Sequence, residues 1–233
     1  MSLFDPLYDP LFITALIKII GIDIVLSGDN AVVIALAARN LQGRQRKLAV
    51  FYGSGAAILM RIILTLFAVQ LLAFPWLKII GALLLIWIGI KLLLPEEGDK
   101  NIAGQIGLLG AVKTIIMADL VMSLDNVIAI AGAADAAPAE YRLTLLVLGL
   151  TISIPLIIFT STLLMKLMER FPIIIIAGAA LLGFVAGEMA ITDPIDKYWI
   201  AQNAPWMSYM IPTLCAALVV FLGTSLSKRQ ARR

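Results

Sequence analysis

The chain has 233 residues, of which 61% are hydrophobic and only 14% are charged, and its mean hydropathy is +1.00. Soluble domains carry about 25% charged residues, so this composition excludes a soluble globular protein. The net charge of +3 does not indicate nucleic-acid binding, because no hydrophilic module could carry it and basic residues collect on the cytoplasmic side of membrane proteins. We therefore expect an all-α membrane protein whose surroundings are the lipid bilayer.

The apolar segments of the chain are long enough to cross a bilayer, which takes roughly 20 residues of helix. Their approximate bounds are 12–37, 48–71, 76–94, 106–134, 142–167, 173–192 and 206–226. Only a helix satisfies all the backbone polar groups of one isolated segment in lipid. The sequence therefore predicts seven transmembrane helices with short connections.

Basic residues are distributed unevenly between the two sides that seven spans would create. Thirteen of them fall on the side of the C-terminus and four on the side of the N-terminus, with Arg61 left inside the second span. The richer side of a membrane protein is normally cytoplasmic. We therefore predict that the N-terminus lies outside and the C-terminus inside.

An eight-residue motif occurs twice. Asp23-Ile-Val-Leu-Ser-Gly-Asp-Asn30 lies in the first span and returns 96 residues later, in the fourth, as Asp119-Leu-Val-Met-Ser-Leu-Asp-Asn126. Gly53 and Gly149 keep the same offset. The chain thus contains an internal repeat with acidic residues at membrane depth, where carboxylates are costly and usually functional.

The repeat divides the single transmembrane domain, residues 1–233, into three parts. Residues 1–94 and 95–193 are two copies of a three-helix unit, and residues 194–233 hold the seventh helix and the basic tail. Because three spans per copy is an odd number, the copies are predicted to be inverted in the membrane, as in many secondary transporters.

The motif residues do not all share one helix face. At about 100° per residue, Asp23, Ser27 and Asn30 lie within roughly 60° of one another, whereas Asp29 points about 120° away. The equivalent residues of the second copy are Asp119, Ser123, Asn126 and, pointing away, Asp125. Either the two diverging aspartates serve other partners, or each motif helix is broken. The break would lie near Ser27 and Gly28 in the first copy and near Ser123 and Leu124 in the second.

The side chains of the motif offer only oxygen ligands to a cation. The chain has no histidine, and its single cysteine, Cys215, lies elsewhere in an apolar run. Zinc, copper and nickel therefore lack their usual ligands, whereas Mn²⁺, Mg²⁺ and Ca²⁺ suit carboxylate and amide oxygens. The same carboxylates could exchange protons, which makes the proton a candidate coupling ion. No enzyme signature and no binding motif for an organic cofactor are recognisable.

A structural interpretation of the motif also has to be considered. Its aspartates could cap broken helix ends and neutralise Arg61, since a membrane-buried arginine needs an acidic partner. We expect a charge-balancing role for Arg61 rather than direct participation in transport. Glu188, another intramembrane carboxylate, either joins or gates the site or lies at the outer membrane boundary.

The two motifs strongly resemble the pair found in the TerC family of integral membrane proteins, and Gly187-Glu-Met189 resembles a further element of that family. The resemblance covers essentially the whole chain and is strongest to the YjbE-type branch. It implies export of Mn²⁺ as transported substrate from the bacterial cytoplasm across the inner membrane, and historically a link to tellurium resistance. The residues that it implies for the metal site are Asp23, Asp29, Asn30, Asp119, Asp125 and Asn126.

Our sequence-based hypothesis is an Mn²⁺ exporter with alternating access. Asp29, Asn30, Asp125 and Asn126 would bind the ion directly, and Asp23 and Asp119 would bind it or carry protons. Ser27, Ser123, Arg61 and Glu188 would support or gate the site. The alternatives are export of Ca²⁺ or of an organic cation or amino acid, and a membrane component of a metal or tellurium stress complex that transports nothing. The sequence leaves open whether the protein forms a homo-oligomer.

Overall fold

Within the described residues, which are 9–67, 74–94, 103–134 and 138–230 of a computed structural model, the regular structure is entirely helical. This agrees with the predicted all-α class. The α-helices of this part of the chain are α1 (Pro10–Leu26), α2 (Gly28–Ala38), α3 (Gly43–Leu66), α4 (Leu77–Leu93), α5 (Ala103–Ala134), α6 (Arg142–Arg170), α7 (Ile173–Ile191), α8 (Lys197–Asn203) and α9 (Met207–Gln230).

Five of these helices are long and apolar enough to cross a membrane, namely α3, α5, α6, α7 and α9. The pair α1 and α2 makes a sixth candidate if it is counted as one broken span. Helix α4 has 17 residues, which span about 26 Å against a hydrocarbon core of about 30 Å. Every predicted apolar run thus contains a helix, but the count of seven spans stays a prediction. The predicted end of the second span, residues 68–71, lies outside the described residues.

The first predicted span is broken at the motif. Helix α1 ends at Leu26, α2 begins at Gly28, and the two axes differ by 50°. Gly28 is the first residue after this break, and it is not in a positive-φ conformation. By contrast, α5 continues without interruption through the second motif. The two copies of the motif therefore differ in backbone structure.

The two halves of the chain exchange equivalent contacts. Gly53 of α3 lies against Ile115 of α5, where a Cβ atom on the glycine would be 2.6 Å from the Ile115 Cδ1. Gly149 of α6 lies against Ile19 of α1, where the corresponding distance to Cγ2 is 2.5 Å. Both pairs are related by the 96-residue offset of the repeat. The second helix of each half thus packs on the motif helix of the other half, and this places the two motifs side by side.

Helix α9 packs against α7 and leaves one face uncovered. At Gly187 of α7 an added Cβ would lie 2.4 Å from the Pro212 Cα, so only glycine permits this approach of the two backbones. On the other side of α9, Tyr209 and Phe221 are largely exposed. This is consistent with a helix outside the repeat that faces lipid.

Candidate ion-binding site

Arg61 connects the two motifs. It lies within α3, and its side chain is 1% exposed. Its guanidinium forms one ion pair with Asp23 and another with Asp119, the second at 2.6 Å between Nη2 and Oδ1. One buried cation therefore holds a carboxylate from each copy of the repeat, as a buried arginine requires.

The motif serines complete this cluster in the same way on both sides. Ser27 Oγ donates to Asp23 Oδ1 at 3.2 Å and accepts from Arg61 Nη1 at 3.0 Å. Ser123 Oγ donates to Asp119 Oδ2 at 3.1 Å and accepts from Arg61 Nε at 3.0 Å. The first aspartate and the serine of each motif thus lie on one face of the helix, as predicted. Both faces point toward Arg61.

Asn30 lies just after the helix break, and its side chain has no hydrogen-bond partner among the described residues. Its residue is 3% exposed, and neither Oδ1 nor Nδ2 finds a partner in the described part of the chain. The carboxamide borders a narrow space that is also lined by Asp119, Ile115 and two aliphatic residues of α2. This space is too narrow for a water molecule. An unsatisfied buried amide is costly, so its position here calls for an explanation.

Asn126 is the equivalent residue of the second motif, and its side chain finds a hydrogen-bond partner at the break in the first motif helix. Its Nδ2 donates to the backbone carbonyl of Leu26, the last residue of α1, at 3.2 Å. The equivalent carbonyl for Asn30 would be that of Met122, but α5 is continuous there and uses its carbonyls within the helix. The difference between the two asparagines thus follows from the single helix break.

The contacts between the motifs also give their relative direction. Leu26 contacts Asn126, and four residues further along the chain Asn30 lies beside Asp119 and Ile115. Advancing along the first motif therefore means going back along the second. The two motif segments run antiparallel past each other.

Asp29 occupies the first turn of α2, where a negative charge is stabilised by the helix dipole. Its Oδ1 accepts the backbone N–H of Asn30 at 2.8 Å. The carboxylate lies within electrostatic range of Arg61 and Asp119 but forms no ion pair with a described residue. Asp29 thus lies at the break, near the central cluster but without a hydrogen bond or ion pair to its side chains.

Asp125 has a partner of its own, one of the two alternatives that the helical wheel leaves open. Its carboxylate forms an ion pair with the ammonium of Lys78 on α4. Since α5 is straight, Asp125 lies about 9 Å further along the helix axis than Asp119. Glu188 of α7 is exposed and lies within electrostatic range of Asp125, and its role in the site stays a prediction. Sequence analysis counted Lys78 only among the four basic residues on the side of the N-terminus and missed this pairing.

Asp193, at the end of α7, has a structural position. It is fully buried, and its carboxylate accepts the backbone N–H groups of Trp76, Lys78 and Ile195 at 3.1, 3.2 and 3.1 Å. Trp76 has a φ of 70°, a strained value for a non-glycine residue that these bonds stabilise. Asp193 thereby fixes the start of α4 and the place of Lys78.

The charges and ligands of this region fit a hard cation. With all four motif aspartates ionised, the two basic groups Arg61 and Lys78 leave two formal negative charges unbalanced. The available donors are carboxylate, amide and hydroxyl oxygens, which suit Mn²⁺, Mg²⁺ or Ca²⁺. Among the described residues, however, no three acidic or cysteine side chains converge on one point. A cation bound here would draw on one or two carboxylates together with neutral oxygens.

Comparison with known proteins gives consistent matches along nearly the whole chain. The model of the integral membrane protein TerC family matches residues 8–231. The uncharacterized membrane protein YjbE of Bacillus subtilis is 41% identical over 209 residues, which cover 90% of this chain and 93% of YjbE. The uncharacterized membrane protein YceF of the same organism is 26% identical over 196 residues, covering 80% of this chain and 74% of YceF. The UPF0053 inner membrane protein YgdQ of Escherichia coli K12 is 27% identical over 190 residues, or 73% and 77% of the two chains. No solved structure matches the chain.

Proposed function

The chain belongs to the TerC family of integral membrane proteins, and we propose that it is a transporter that exports a divalent metal cation, with Mn²⁺ as the first candidate. The site would be formed by the two motifs, with Asp29, Asn30 and Asp119 as the oxygen donors nearest the break. The transported ion is the substrate and not a resident cofactor.

The observation that carries this proposal is the Asn30 carboxamide, which is buried beside Asp119 without a partner. A divalent cation at this place would receive the Asn30 oxygen as a neutral ligand. It would also balance the two excess negative charges of the motifs, as two protons would when the ion has left. This equivalence favours exchange of one divalent cation for two protons.

The narrowness of the space beside Asn30 supports alternating access. Because the space cannot hold water, a hydrated ion could reach it only after the surrounding helices have separated. The broken pair α1 and α2 is the natural place for this movement, since broken helices line the sites of many transporters.

The membrane topology that we propose has seven spans, with α4 as the shortest, and two inverted three-helix repeats. The antiparallel motif segments and the exchanged contacts of Gly53 and Gly149 support the inversion. The excess of basic residues on one side supports a cytoplasmic C-terminus in the bacterial inner membrane. In this orientation Asp29 lies on the cytoplasmic side of the Arg61 cluster and Asp125 on the outer side.

The test is transport by purified protein in liposomes. Mn²⁺ should cross when a pH gradient is imposed, and Asp29→Ala and Asp125→Ala should each abolish the flux while the protein still inserts. Asp196→Ala, in the turn between α7 and α8, is the matched control and should transport normally. Full flux from both motif variants would refute the site.

The same liposomes separate the alternatives. A panel of Mn²⁺, Mg²⁺, Ca²⁺ and lysine assigns the substrate, since the oxygen ligands alone do not separate Mn²⁺ from Ca²⁺. If no substrate of the panel moves, the transport proposal fails and the alternative of a non-transporting component of a metal or tellurium stress complex is favoured.

A further inference from the structure

Lys78 occupies a position that is unfavourable for a lysine. It is the second residue of α4, where the positive end of the helix dipole repels a cation. The residue is also only 9% exposed, although it carries a charge. Its backbone N–H is held by Asp193, but this bond would form with any residue except proline. The reason for a lysine must therefore lie in its side chain.

The ammonium of Lys78 contacts one oxygen atom from α5 and one at the end of α7. It forms the ion pair with Asp125 of α5, and it lies 3.4 Å from the Thr192 hydroxyl at the end of α7. Glu188 is close enough to Asp125 for their charges to interact. The Asp125 side chain is 43% exposed, so this oxygen-rich place opens away from the central cluster. A tethered cation thus sits among the same kinds of ligand that a divalent ion would use.

The repeat has no second lysine of this kind. In the third helix of each copy the offset is 97, because Pro75 and Gly81 match Pro172 and Gly178, so the residue that corresponds to Lys78 is Ile175. Asp29, the counterpart of Asp125, forms no ion pair with a described residue. On the side that we assign to the cytoplasm, an ion would therefore meet a carboxylate that is not paired with a described basic residue. The outer side offers one that is already occupied by an ammonium.

We propose that Lys78 is a built-in competitor of the transported cation, which takes the place of the ion at Asp125 and Glu188 and so promotes its release on the outer side. This inference rests on the proposed function. Two cations cannot share these oxygens without strong repulsion, so the ion and the ammonium exclude each other. After release, the returning ammonium hinders rebinding from outside, so the site has a lower affinity for the ion on the outer side.

The experiment compares Lys78→Met and Lys78→Arg with the wild-type protein. Methionine keeps the backbone bond to Asp193 and much of the side-chain length but removes the charge, whereas arginine keeps the charge. Lys91→Met is the control on the same helix, because Lys91 lies at the other end of α4 over the ring of Trp87. Mn²⁺ affinity is measured by calorimetry on protein in nanodiscs, and flux is measured in liposomes.

Lys78→Met should bind Mn²⁺ about tenfold more tightly, because removal of a repelling charge is worth at least about 1.4 kcal/mol. Its maximal flux should fall, since release becomes slower, while Lys78→Arg and Lys91→Met should stay near the wild-type affinity. A lysine that only anchors α4 to α5 would give a less stable variant whose affinity is unchanged or weaker, and this result would overturn the inference. If the wild-type protein neither binds nor moves a divalent cation, the proposed function fails as well.

Discussion

Asn30 and Asn126 hold the same place in the two copies of the motif, but within the described residues only the Asn126 side chain has a hydrogen-bond partner. That partner, the carbonyl of Leu26, exists because the first motif helix breaks where the second continues. One asparagine therefore stabilises the broken helix, and the other is left with unsatisfied polar atoms beside Asp119. We interpret the first as structural and the second as a ligand for the transported ion.

The two asparagines should respond in opposite ways to the substitution Asn→Leu, which nearly preserves volume. Asn126→Leu removes the partner of the Leu26 carbonyl and should lower the free energy of unfolding by about 1–3 kcal/mol. Asn30→Leu removes an unsatisfied amide, so stability should be unchanged or higher while Mn²⁺ flux is lost. Thermal unfolding of detergent-purified protein, followed by tryptophan fluorescence, measures the first effect. Equal destabilisation by both variants would contradict this assignment.

Arg61 should be essential for stability because it neutralises two buried carboxylates. Arg61→Met leaves Asp23 and Asp119 without a counter-charge, and breaking a buried ion pair costs about 3–5 kcal/mol. We expect a large fall in the unfolding temperature and in the yield of folded protein. Size-exclusion chromatography in detergent and a thermal scan check this expectation.

A charge-neutral variant shows whether the effect of Arg61→Met is electrostatic. Adding Asp23→Asn and Asp119→Asn to Arg61→Met removes the unpaired charges and should restore much of the lost stability. If the triple variant is no more stable than Arg61→Met, the contribution of Arg61 comes from packing of its long side chain and not from charge.

Much of the architecture follows from local properties of the sequence. Continuous apolar runs predict helices because backbone polar groups must be satisfied in lipid, and each predicted run contains a helix. The duplicated Asp and Ser, at a spacing of four residues, predict one shared face, and Arg61 in a membrane span predicts an acidic partner. These features depend on periodicity and charge within short stretches, which a single sequence displays.

The remaining features depend on contacts between distant segments. Ser27 and Ser123 stand in similar motifs, yet only the first lies at a break, and the carbonyl freed there is bonded by a residue 100 positions away. The ion pair between Lys78 of α4 and Asp125 of α5 likewise joins two residues that are 47 positions apart in the sequence. Hydrophobic periodicity shows which residues are apolar together but not which helices are neighbours. The seven-span count also stays a prediction, because α4 is shorter than a full span.

The glycines that the two halves place against each other should not tolerate alanine. In Gly53→Ala and Gly149→Ala the new methyl would come within 2.6 and 2.5 Å of the branched side chains of Ile115 and Ile19. These side chains have little freedom to move away, since β-branched residues are restricted at χ1. Overpacking of this kind costs about 1–3 kcal/mol, and both variants should lose a similar amount of stability.

Gly55 is the matched control for these substitutions. It lies in α3 two residues from Gly53, but nothing is within 4 Å of an added Cβ. Gly55→Ala should be neutral or stabilising by up to about 1 kcal/mol, because alanine is the better helix former. Thermal scans of the three variants compare their unfolding temperatures. An equal loss of stability in Gly55→Ala and Gly53→Ala would show that the contact between the helices is not the cause.

Asp193 should act on the fold and only through it on transport. Its buried carboxylate accepts three backbone N–H groups, including those of Trp76 and Lys78 at the start of α4. Hydrogen bonds to a charged group contribute about 1.5–3 kcal/mol each, so Asp193→Ala should destabilise the protein by at least about 2 kcal/mol. Amide hydrogen exchange should become faster in the first turn of α4 and unchanged in α9. Asp196→Ala, three residues further on, should leave exchange in α4 as it is. Unchanged exchange in α4 after Asp193→Ala would show that the backbone of this turn is held by other contacts, and the position of Lys78 would then not depend on Asp193.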